Sequence, residues 1–162
     1  MQNTKSLNFW TNVLLVMADF TIVFGLLMVF SPDFFRDLMF RIYTDFFYTE
    51  GTYATLSSAD INFQAVFYGV AGGVMIGWAV SMLFIIHIPF RRGEKWAWLA
   101  LDASLISWFV LDTYASIRFG MSINALLNVG FLILFAIPLA ATYRHFFGET
   151  APIPAHTSQQ TA

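Results

Sequence analysis

The chain has 162 residues, enough material for one domain. Hydrophobic residues make up 58% and charged residues 11%, with 19 Phe, 5 Trp and 6 Tyr supplying the excess, where soluble chains carry about 25% charge. That composition excludes intrinsic disorder, which needs high charge and few aromatics. Nucleic-acid binding is excluded as well, because 8 Lys+Arg against 10 Asp+Glu leave a net charge of −2 and no basic face. With no Cys, disulfides, zinc ribbons, iron–sulfur clusters and thiol catalysis all fall away.

A helix needs about 20 mostly apolar residues to cross about 30 Å of hydrocarbon. Residues 9–30, 63–90, 96–117 and 121–143 meet that test. One such stretch could be the buried helix of a soluble protein, but four fill over half the chain and leave too little polar sequence to cover them. The expected fold is all-α: a polytopic four-transmembrane-helix bundle over residues 1–147, with 148–162 as a disordered tail.

The first span reads as an uncleaved anchor. Only Lys5 precedes it, its apolar run is too long for a signal peptide, and Ser31-Pro32-Asp33 stands where small cleavage-site residues would be needed. Asp19 falls near its middle, on the face that also carries Asn12. Residues 31–62 form the one long connection. Ser31 suits an N-cap, Pro32 the first helical position and Asp33 the helix N-terminus. Leu38, Met39, Ile42, Tyr43, Phe46 and Phe47 share one arc, and Asp37, Arg41, Thr44 and Asp45 the opposite one, while Phe34 and Arg36 fit less well. This pattern predicts an amphipathic helix over about 32–48, lying in the outer interface. Residues 50–60 read as an exposed loop.

In the second span Gly69, Gly73 and Gly77 form a doubled G-x-x-x-G stripe, which in lipid lets another backbone come close. Helix packing within the chain is the plain reading, and dimerisation the alternative. Between spans two and three, Arg91-Arg92-Gly93-Glu94-Lys95 concentrates positive charge in a short loop, with Trp96 and Trp98 just inside the boundary. The positive-inside rule then sets both termini in the cytoplasm, with Lys5, Arg91, Arg92, Lys95 and Arg144 inside and Arg36, Arg41 and Arg118 outside.

Spans three and four meet at a turn near Gly120. Eight residues back lies Asp112 and eight forward Asn128; four each way lie Ser116 and Asn124. In an antiparallel pair these partners stand at matching depths, about 12 Å and about 6 Å from the turn. The spacing permits a compact polar cluster of Asp112, Ser116, Asn124 and Asn128. Asp102 lies deeper in span three, and Arg118, at the outer end, can snorkel to the headgroups. Intramembrane acids are costly and point to function by default. Asp19 and Asp102 are therefore candidates for proton coupling, although the plain reading is that hydrogen bonds to neighbouring helices make them fix packing.

Cofactors and metals find no support. His87, His145 and His156 do not form the facing pairs that a b-type haem requires, and no acid cluster accompanies them. No residue is assigned as catalytic, since H-E-x-x-H, G-x-S-x-G and P-loop strings are all missing.

The run from Tyr68 to Leu139 contains Gly69-Val-Ala-Gly-Gly73, Gly77-Trp78, Arg91-Arg92, Trp96-Ala-Trp98, Trp108-Phe-Val-Leu-Asp112, Asn124 to Asn128, and Pro138-Leu139. In this texture it resembles the small four-helix inner-membrane proteins of bacteria grouped as DoxX-like and BphX-like. The resemblance is architectural and covers about half the chain. It implies a bacterial inner (plasma) membrane location and carries over no catalytic residue. The leading expectation is a non-enzymatic membrane protein whose polar cluster binds a small or lipidic ligand or holds a partner in an assembly. A proton-coupled small-solute transporter is a second reading, and a membrane-embedded enzyme acting on a lipid or isoprenoid a third. The expected partners are the lipid bilayer, such a ligand, and a second copy or a larger membrane complex, with no nucleic acid.

Overall fold

In the computed structural model, residues 2–47 and 57–148 are described, and they form five α-helices with no strand among them. Helix α1 spans Gln2–Phe30, α2 Pro32–Phe47, α3 Ser58–Ile85, α4 Lys95–Arg118 and α5 Ser122–Phe147, and a π turn covers Ile86–Phe90. Most of the expected loop 50–60, the tail beyond Gly148, and the side chains of Tyr43, Thr44, Asp45, Phe46 and Phe47 lie outside the described residues.

Helices α1, α3 with its π turn, and α5 are long and apolar enough to cross a membrane. The sequence expectation of a further span over 96–117 corresponds to α4, a helix of 24 residues that is less apolar than these three. Asp102, Ser104, Ser107, Asp112, Thr113 and Ser116 lower its apolar content.

Each boundary has a local cause. Helix α3 starts at Ser58, earlier than the apolar run at Phe63, because Ser57 and Asp60 form a capping box. Asp60 N donates to Ser57 Oγ (3.2 Å), and Ser57 N (3.1 Å) and Oγ (2.6 Å) both donate to Asp60 Oδ2. These bonds, the hydroxyl's first, hold the exposed Asp60 carboxyl below its ordinary pKa, in a segment that precedes the apolar run. At the other end Pro89 lacks an N–H and crowds the preceding turn, so the ladder widens into the π turn. Gly93, at φ 75°, then reverses the chain, with Glu94 N donating to Pro89 O at 3.0 Å. Gly120, at φ 74°, makes the α4–α5 turn.

Helix α1 packs along α3, α4 along α5, and α1 also against α5. The α1–α3 pair is antiparallel and tight. A Cβ added at Gly72 would stand 2.6 Å from Gly25 O, and one at Gly25 would stand 2.8 Å from Gly72 O. At the far end of the same pair, Arg91 Nη2 donates to Asn12 Oδ1 (3.1 Å). Helices α4 and α5 lock through Trp98, whose Nε1 donates to Leu139 O (3.0 Å) and whose ring meets Tyr143 and Phe147 edge-on. Trp78 stacks on Trp108 and so joins α3 to α4. The core between the helices contains Leu14, Ala18, Met82, Ile86, Leu101 and Phe135.

Helix α2 follows α1 after a single residue and docks by Phe35, which is 3% exposed and lies edge-on to both Phe24 and Tyr68. The sequence pattern puts Leu38, Met39, Ile42, Tyr43, Phe46 and Phe47 on the apolar arc; in the structure Leu38 is exposed, and Phe35, which is not on that arc, is the anchor. Arg36, 8% exposed, is held by Asp33 (2.7 Å) and Asp37 (2.9 Å), so its charge is neutralised where it is buried.

Candidate functional site

The polar groups of the α4–α5 hairpin come together on the facing sides of the two helices. Asn128, 4% exposed, donates through Nδ2 to Asp112 Oδ2 (2.7 Å) and to Thr113 Oγ1 (3.2 Å). Asn124 Nδ2 donates to Ser116 Oγ (2.8 Å) and, at 3.4 Å, to Asp112 Oδ2. The Ser116 hydroxyl donates in turn to Asp112 O (2.6 Å), back along its own helix. The depth match counted from Gly120 is thus realised as direct contacts between α4 and α5.

The carboxylate is unevenly used. Asp112 Oδ2 accepts both amides, whereas Oδ1 has no hydrogen bond among the described residues. No buried side-chain nitrogen or oxygen lacks a partner among the described residues, and Asp112 itself is only half-buried, so Oδ1 is not fully buried. An acceptor framed by two amide donors can take a hydroxyl, an ammonium or an amide group. Among the described residues no trio of His, Asp or Glu is placed to hold a metal.

The other candidates are scattered. Asp102 is half-buried on α4 and makes no side-chain hydrogen bond in the α4–α5 network among the described residues. Asp19 is exposed on the outer side of α1, where it lines a groove with His87 of the π turn. Arg118 stands over the Phe119 ring (5.8 Å) at the mouth of the hairpin and makes no ion pair with Asp112. At Gly69, Gly73 and Gly77 an added Cβ would meet nothing within 4 Å, so the close approach of α1 to α3 uses Gly25 and Gly72 and not that stripe.

Two contributors escaped the sequence reading. Thr113 joins the cluster as an acceptor for Asn128, and its adjacency to Asp112 was the available signal. Arg36 fits the amphipathic pattern of α2 poorly, and that misfit marks its burial between two acids. Comparison with protein-family models, curated proteins and solved structures finds no match to this chain.

Proposed function

We propose that this chain is a non-enzymatic four-span protein of a bacterial inner membrane, and that its α4–α5 polar cluster binds a small or lipidic ligand or holds a membrane partner. The observation that carries the reading is the half-used carboxylate: Asp112 Oδ2 is fixed by Asn124 and Asn128, while Oδ1 is left without a hydrogen bond among the described residues. A charged carboxylate in a spanning helix is costly, by up to about 2.5–3.5 kcal/mol at the helix centre on insertion scales. A group that donates to Oδ1 offsets part of that cost, which gives a ligand or partner its affinity.

Four spans are favoured by where α4 keeps its polar groups. Asp112, Thr113 and Ser116 engage α5 or their own backbone, whereas Leu99, Ile106, Val110, Leu111 and Ile117 are exposed. Lipid rather than water suits such an outer surface. At 24 residues α4 is about 36 Å long, enough to cross. Cytoplasmic termini are supported by the basic end of the bundle, where Arg91 reaches Asn12 and Lys95 lies over Phe147. Helix α2 then lies at the outer interface, with Phe35 tucked between α1 and α3. The DoxX-like and BphX-like texture agrees with this placement.

Native mass spectrometry of the chain extracted with its own lipids tests the proposal. The wild type retains a bound molecule or subunit, and Asp112→Asn and Asn128→Leu lose it. Equal retention by all three refutes the reading.

A further inference from the structure

We infer that two copies of this chain meet through the outward face of α1 and α3, each copy setting its Asp19 against the second copy's His87. Between these helices runs a groove of 420 Å³, lined by Leu15 and Asp19 of α1 and by Val80, Phe84, His87 and Ile88 of α3 and the π turn. Its walls are apolar apart from the carboxylate and the imidazole. Both groups are exposed, and neither has a hydrogen bond or ion pair among the described residues. Arg91, the nearest guanidinium along the chain, is turned to Asn12.

A carboxylate on a surface that faces lipid calls for a partner. The groove holds the complementary group on its other wall, so it is complementary to itself. A two-fold axis parallel to the helices makes the contact from Asp19 to the second copy's His87 twice. The imidazole N–H donates to the carboxylate in either protonation state, and the pair needs no third group.

The glycines set how near the copies come. Residues 73, 77, 80, 84 and 87 follow one another at helical steps of four and three, so the groove continues along α3 into the bare backbone at Gly73 and Gly77. In lipid such a strip admits close helix contact. This surface lies on α1 and α3, away from the α4–α5 cluster, and it stands or falls separately from the ligand reading.

The full chain has no Cys, so one introduced thiol reports one position. Gly73→Cys and Gly130→Cys both place the thiol in open space. Mild oxidation in membranes should link Gly73→Cys into dimers at least tenfold faster than Gly130→Cys, and equal linking overturns the proposal. Analytical ultracentrifugation in detergent should show a concentration-dependent dimer. Asp19→His and His87→Asp should each raise its Kd at least tenfold, and the double swap should restore it to within about threefold. One-copy mass at every concentration, a swap that fails to restore the dimer, or co-purification of a different subunit lost in Asp19→His would each overturn it.

Discussion

Replacing Gly72 by alanine places a methyl group where α1 and α3 touch. Its carbon would stand 2.6 Å from Gly25 O, 2.8 Å from Met28 Cβ and 3.0 Å from Val29 Cγ2. None of these atoms is the free end of a flexible side chain, so the helices themselves must separate. Relief of the shortest contact requires about 0.8 Å of opening, and a gap of that size forfeits a quarter to a half of the attraction between the atoms lining it. Overpacking of this kind costs about 1–3 kcal/mol, roughly a five- to 150-fold loss in the folded-to-unfolded ratio. Alanine's better helix propensity offsets up to about 1 kcal/mol. Gly130→Ala brings the same propensity gain on α5 with nothing within 4 Å of the new methyl, so the difference between the two variants isolates the clash. Reversible unfolding in mixed micelles, followed by far-UV circular dichroism, should place Gly72→Ala about 1–3 kcal/mol below Gly130→Ala. Equal midpoints would refute the claim that Gly25 and Gly72 form the close approach.

Phe35→Ala removes two edge-on ring pairs, with Phe24 and Tyr68, each worth about 0.5–1.5 kcal/mol beyond burial. Amide exchange over residues 33–42 should therefore speed up about five- to 150-fold, and unchanged exchange refutes Phe35 as the anchor of α2. The Asp60 carboxyl titrates below its ordinary value because the Ser57 hydroxyl and N–H bond its charged form. A depressed folded value means that the capping contribution is complete above the ordinary carboxylate range and is lost as pH falls through the lowered value. Amide protection at residues 58–61 should fall with acid in that window; Ser57→Ala should already lack that protection at neutral pH, and an identical profile in the variant would count against the cap. For topology, thiols at Lys95→Cys and Ser122→Cys should react with an impermeant reagent from opposite sides of sealed vesicles. Labelling of both from one side would contradict a spanning α4.

The polar hairpin was legible from spacing because each helix rises a fixed 1.5 Å per residue from a shared turn. Counting from Gly120 therefore gives depth, and depth brought Asp112 level with Asn128. Facing was not legible: one residue turns a helix by 100°, so the sequence could not say whether the amides looked at the carboxylate or away from it. The glycines of α3 illustrate the same limit. Gly69, Gly73 and Gly77 have the regular spacing, yet Gly72, one residue off that stripe, touches Gly25. The capping box at Ser57 and Asp60 was readable from its spacing but was obscured by the apolar run that begins only at Phe63.

The sequence by itself determined that the chain carries helices apolar enough to cross a membrane, where most of its helices lie and how far each polar residue stands along its helix. Those properties follow from composition and from a rise per residue that is the same in every helix. The tertiary structure alone decided rotation: that Phe35 and Arg36 turn inward, that Asn128 reaches Asp112, and that Asp19 and His87 share an outer groove. Rotation follows from the packing of all the helices together, which no single segment's pattern encodes.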